Sequence, residues 1–106
     1  MSAAPRRRTA ALLRPHFDRD RLPDPERYYT AELGALRGRG IWRDAECCFH
    51  KDTRPSLRVN VETGAFRCMA CGASGGDVLA FQMQRYGQTF PDAAKTLGAW
   101  IGGRHV

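Results

Sequence analysis

The sequence predicts a small α+β domain, an antiparallel β-sheet with flanking short helices. Three observations carry that prediction. Residues Ser56 to Val61 alternate, with Leu57, Val59 and Val61 on one face and Ser56, Arg58 and Asn60 on the other, the signature of a half-buried strand. Two pairs of metal-type ligands bracket that strand and its return: Cys47 with His50, and Cys68 with Cys71. Apolar residues at helical spacing then fill the last third of the chain. Together they describe a small hairpin sheet whose two turns bring four ligands to one metal ion.

The elements follow in order. Residues 1–21 form a basic, mobile arm, and residues 22–40 a short helical lead-in. In the lead-in, Asp24 is an N-cap and Pro25 the first helical residue. Tyr28, Tyr29, Leu33 and Leu36 recur near helical spacing over Glu26–Arg37, and Gly38 and Gly40 end the helix. Ile41 to Ala45 is a short strand, and Cys47 to His50 a tight turn. Glu62-Thr63-Gly64 is a hairpin turn, with glycine where positive φ is needed. Ala65 to Cys68 returns, and Met69 to Gly72 turns again.

Two helices close the chain. Asp77 sits at the positive end of the first, whose face is Leu79, Met83 and Tyr86 joined by Val78, and Gly87 stops it. Thr89 and Asp92 form a capping box for the second, which buries Phe90, Ala93, Ala94 and Leu97. Trp100 and Ile101 fold back on the core, and residues 102–106 fray.

Size and charge narrow the function. A chain of 106 residues cannot hold a nucleotide-polymerising core, a Rossmann domain or an α/β hydrolase. No apolar run approaches the ~18 residues of a membrane-spanning helix, so no membrane role is expected. The net charge of +6 favours a polyanion partner, with nucleic acid foremost. Six arginines against Asp18 and Asp20 place most of the excess in residues 1–21. Arg6-Arg7-Arg8 are followed by only five residues, Thr9 to Leu13, before Arg14 and Pro15, too few for an export signal. A cytoplasmic, reducing compartment is therefore expected, where the four cysteines point to metal or redox chemistry rather than disulfides.

Metal is the better reading. Two intervening residues let the backbone turn so that both ligands of a pair meet one ion, and two such turns complete a tetrahedron. Thiolates and imidazole in a closed set suit structural zinc, whereas iron–sulfur clusters favour four thiolates. Cys47 gives the two-residue gap to His50 and Cys48 does not, so Cys47 is the ligand and Cys48 a spare thiol. A redox C-x-x-C belongs after a strand in a βαβ unit, a context absent from this hairpin-rich segment. His16 and His105 lie in the terminal segments and read as solvated. Structural zinc contributes ~10 kcal/mol or more of apparent binding energy to folding, which relieves the shortage of core in so short a chain.

The run Cys47-x-x-His50-Lys51-Asp52-x-x-Pro55-Ser56-x-x-Val59-Asn60, then Gly64-x-Phe66-x-Cys68-x-x-Cys71-Gly72-Ala73-Ser74-Gly75-Gly76-Asp77-Val78, resembles the zinc-binding domain of bacterial DnaG-type DNA primases. The likeness continues through Phe81, Phe90, Asp92, Ala93 and Leu97, and covers about residues 41–98. Cys48 departs from it, standing where the family usually has proline. The chain looks like a short stand-alone member without the catalytic domain, with residues 41–101 as the primase-type ribbon and its two C-terminal helices. The resemblance implies Cys47, His50, Cys68 and Cys71 as ligands of one structural Zn²⁺. It also implies an exposed sheet face that engages single-stranded template during primer synthesis.

Lys51, Arg54, Arg58 and Arg67 would lie on or beside that face, and Asn60 could reach a base edge from it. No catalytic residues are expected: there is no triad and no paired acidic site, and a closed zinc site leaves no place for water. The expected function is a non-catalytic, zinc-dependent module of bacterial DNA replication. It would bind single-stranded DNA and work with a separate primase catalytic protein or a helicase. The alternatives are an adaptor that docks a replication or transcription protein, and a regulator that binds duplex DNA.

Overall fold

The computed structural model describes residues 14–49, 51 and 55–102. Its centre is an antiparallel four-stranded meander of β2 (Trp42–Ala45), β3 (Leu57–Asn60), β4 (Phe66–Cys68) and β5 (Ser74–Gly75), in that spatial order. Three helices, α1 (Pro25–Leu33), α2 (Val78–Tyr86) and α3 (Phe90–Thr96), accompany it. A second sheet pairs β1 (His16–Phe17) with β6 (Trp100–Ile101). The α+β class expected from the sequence is the class observed.

Helix α1 begins as expected. The Asp24 carboxylate accepts the backbone N–H of Arg27 at 3.1 Å, and Pro25 opens the helix. Its end corrects the expectation. The helix stops at Leu33, because Gly34 takes φ +85°, ψ −157°, a conformation open to glycine and closed to helix. Leu36 packs against the core outside the helix, and Arg37 bridges to Asp44 at the edge of β2.

The β3–β4 turn holds a second correction. Leu57 and Val59 are fully buried, but Asn60 is buried too rather than facing out. Its side-chain carbonyl accepts the backbone N–H groups of Glu62 and Thr63, both at 2.8 Å. An asparagine before a tight turn satisfies the turn's own donors, and here that local bond outweighs strand alternation. Val61 lies beyond β3 and is only partly buried.

Strand β5 was not apparent from the sequence, which reads Ser74 to Asp77 as the approach to a helix. Gly75 shows why glycine is required there. A Cβ on it would lie 2.6 Å from the Phe66 ring and 2.7 Å from the Ala80 methyl. Asp77 then caps α2, accepting the N–H of Ala80 at 2.9 Å. Thr89 caps α3 through Asp92 N–H at 3.3 Å.

The core centres on Phe81, whose ring meets those of Tyr28, Tyr29, Phe49 and Phe66 edge-on at 5.0–5.8 Å. Each such pair contributes ~0.5–1.5 kcal/mol beyond burial. The inward face of α2 is thus Val78, Leu79, Phe81 and Gln82, whereas Tyr86, expected inside, is exposed. Buried Gln82 is paired: its carbonyl accepts from Tyr28 hydroxyl at 2.7 Å and its amide donates to Gln88 at 2.9 Å. A second cluster joins Leu79, Ala93 and Ala94, with Phe17, Leu97 and Trp100 against it. Phe90, expected to be buried, is 40% exposed.

The expected N-terminal arm is partly folded. Within residues 14–21, β1 pairs with β6, Asp18 donates its N–H to the Ala99 carbonyl at 2.8 Å, and Phe17 packs edge-on against Phe90 at 5.2 Å. Trp100 folds back as expected, onto this N-terminal strand. Arg6, Arg7 and Arg8 lie outside the described residues.

Candidate metal centre and adjoining sheet face

Three thiols meet where the first sheet ends. Cys47 follows β2, Cys68 ends β4 and Cys71 sits in the turn after it. Their sulfur atoms all lie within 4.8 Å of one another, with Cys47 and Cys71 at 3.9 Å. Ligands at ~2.3 Å from a tetrahedral zinc stand about 3.8 Å apart, so the cluster fits such an ion. Cys48 is exposed and lies outside the cluster. His50 and Arg54 fall outside the described residues.

Backbone donors prepare the sulfurs for negative charge. Phe49 N–H points at Cys47 Sγ and Cys71 N–H at Cys68 Sγ, each at 3.4 Å. Burial pushes the Cys68 thiol up, but the N–H of Cys71 and the Ser56 hydroxyl outweigh it and bring Cys68 below its ordinary value. Burial, supported by the neighbouring Cys68 sulfur, drives Cys47 the other way. The two buried thiols are thus pushed in opposite directions, Cys68 toward the thiolate and Cys47 away from it. A bound cation stabilises thiolates at all of its sulfur ligands.

The outer face of the sheet begins beside the thiols. Directly opposed residues across antiparallel strands share a face. The register aligns Asp44 with Arg58, Arg58 with Arg67 and Arg67 with Ser74. Arg37 extends the row past β2 by exchanging both backbone hydrogen bonds with Asp44, at 2.8 and 2.9 Å. Arg58 and Arg67 are exposed, as expected, and so is Lys51. Arg58 Nε donates to Asp44 at 3.1 Å, and its guanidinium lies over the Trp42 ring, 5.9 Å from the centroid. Trp42, Arg67, Met69 and Ser74 line a shallow depression of about 360 Å³ on this face.

The comparisons with known proteins agree with this geometry. Residues 34–104 match the CHC2 zinc finger, the zinc ribbon of DnaG. The chain belongs to this family.

Among similar proteins is the DNA primase of Deinococcus radiodurans, 43% identical over 56 residues, covering 53% of this chain and 10% of that protein. The DNA primase of Geobacillus stearothermophilus is also 43% identical over 56 residues, with 53% and 9% covered. The chain thus spans about a tenth of the curated relatives it matches. Its fold is similar to the crystal structure of the Aquifex aeolicus primase zinc-binding and RNA polymerase domains. That match has a TM-score of 0.60 and 27% identity, and covers 73% of this chain and 20% of that one.

Two residues of this sheet face, Trp42 and Arg37, are not singled out by the sequence. Trp42 looked like an ordinary strand residue and Arg37 like the end of a helix. An aromatic residue two positions before Asp44 was a usable signal for Trp42. Arg37 had none, because its place depends on where α1 stops. No described helix is long and apolar enough to cross a membrane.

Proposed function

We propose that this CHC2 chain is a zinc-dependent module of primase type that binds single-stranded DNA for replication primer synthesis and is non-catalytic on its own. One Zn²⁺ would be held by Cys47, Cys68 and Cys71 together with His50. Its role is structural, tying the end of β2 to the β4–β5 turn and so fixing the adjoining face. Residues 41–101 are the functional ribbon and its helices, and residues 22–40 the helical lead-in. A separate primase catalytic protein or a helicase is the natural partner, in the cytoplasm.

The observation that carries the reading is the row of Arg58 and Arg67 on an exposed sheet face beside the thiol cluster. Guanidinium groups on such a face pair with backbone phosphates and stack on unpaired bases. Lys51, and Arg54 by its place in the sequence, would add to the same electrostatic track. Asn60 is left out, since its side chain closes the turn.

Fluorescence polarisation of a labelled single-stranded oligonucleotide with the zinc-loaded chain tests this, run beside a duplex and beside Arg58→Ala with Arg67→Ala. Preference for the single strand, lost in the double variant, is the expected result. Absence of binding at low salt, with zinc confirmed, would favour the adaptor reading, for which exposed Ile41 and Met69 would be the contact residues.

A further inference from the structure

Trp42 and Asp44 stand on the same face of β2 as the arginine row, and neither is needed for the core. Trp42 is 38% exposed although tryptophan is costly to leave in water. Its opposite neighbour Asn60 is drawn into the turn, so the β3 side chain on the ring is Arg58, whose guanidinium lies 5.9 Å from the centroid on one face of the indole. Asp44 is the acidic member of a row otherwise made of Arg37, Arg58 and Arg67, which leaves the row net positive. Its pair with Arg58 is about half exposed on both sides, and exposed pairs of this kind add little to stability.

We propose that Trp42 is the stacking platform for one unpaired base, and that Asp44 holds Arg58 beside it until a backbone phosphate of the bound strand takes Asp44's place. This deepens, and rests on, the reading of the sheet as a single-strand surface. The occupant is a single-stranded nucleic acid because the two chemistries coincide. A flat indole takes a base face only when that base is unpaired, and adjacent guanidinium groups take the phosphates that come with it. The row from Arg37 to Arg67 crosses three strand spacings, about 14 Å, which matches about four nucleotides at a stacked rise. Arg58 already lies over the indole, so it needs only to exchange Asp44 for a phosphate at short range.

The test uses the full zinc-loaded chain and a labelled oligothymidine, with a duplex of equal length for comparison. Trp42→Ala should weaken single-strand binding about tenfold while leaving the slope against salt unchanged, because stacking releases no counterions. Trp42→Phe should recover most of that loss. Asp44→Asn should bind several-fold more tightly than the parent chain. Zinc content and thermal midpoint, measured on each variant, separate binding effects from misfolding, and Trp42→Phe serves if Trp42→Ala does not fold.

Single-strand affinity unchanged in Trp42→Ala overturns the platform, and so, where only Trp42→Phe folds, does tryptophan emission of the parent chain left unquenched by the oligonucleotide. Equal or weaker binding by Asp44→Asn overturns the exchange. Arg67→Ala keeps the underlying reading separate. If it weakens binding with a shallower salt slope while Trp42→Ala does nothing, the sheet binds nucleic acid and the platform is wrong. If the parent chain does not bind at all, both fail.

Discussion

Tyr29 donates its hydroxyl to the carbonyl of Gly64 at 2.6 Å, tying α1 to the β3–β4 turn across the core. Tyr29 is fully buried, and burial, with Tyr28 nearby, lifts its hydroxyl far above the ordinary tyrosine range, so it remains a donor. Tyr29→Phe keeps the ring against Phe81 and removes only that bond. It should cost about 1–2 kcal/mol in urea unfolding, with the slope unchanged.

Gly75→Ala should destabilise by about 1–3 kcal/mol, the usual penalty for overpacking. The added methyl falls on the Phe66 ring and the Ala80 methyl, both fixed in the packed interface between β4 and α2. Thermal unfolding reads the loss.

The two adjacent cysteines should separate cleanly. Cys47→Ser should lose bound zinc and fold poorly, because Cys47 is one of the three clustered sulfurs. Cys48→Ser should retain zinc and stability within about 0.5 kcal/mol, since its side chain is exposed and outside the cluster. Zinc content by atomic absorption and the thermal midpoint check both. A strong chelator should lower the midpoint of the parent chain as it does that of Cys48→Ser.

Asp77 does two things that can be told apart. It caps α2 through Ala80 N–H and pairs with Arg19 Nη1 at 2.8 Å. Asp77→Ala should cost about 1 kcal/mol through the lost cap. Arg19→Ala should cost little, since Arg19 is largely exposed. Chemical denaturation of the two variants makes the comparison.

Legibility in the sequence followed the length of the signal. The alternation over Leu57–Val59 and the Asp24, Asp77 and Thr89 caps are local patterns with strong chemistry, and the elements they predict are present. The β1–β6 pair was hidden because two-residue strands have no period to read, and their pairing joins opposite ends of the chain. Asn60 followed its turn rather than its strand, and α1 followed Gly34 rather than its apolar spacing. Around the site, the clustered cysteines were readable because spacing alone brings ligands together. The Arg58–Arg67 pair was readable across its tight hairpin, but Arg37 and Asp44 beside it were not, because their place depends on where α1 stops and on pairing with a strand farther off in sequence.

On the reading proposed above, the arginine-bearing sheet face binds single-stranded DNA. The most direct measurement is the affinity of the zinc-loaded chain for a single-stranded oligonucleotide across a salt series, compared with Arg67→Ala alone. Binding should be tighter to single strand than to duplex, with a salt slope about 0.7 shallower in the variant, as one lost phosphate contact requires. An unchanged slope and affinity in Arg67→Ala would contradict it.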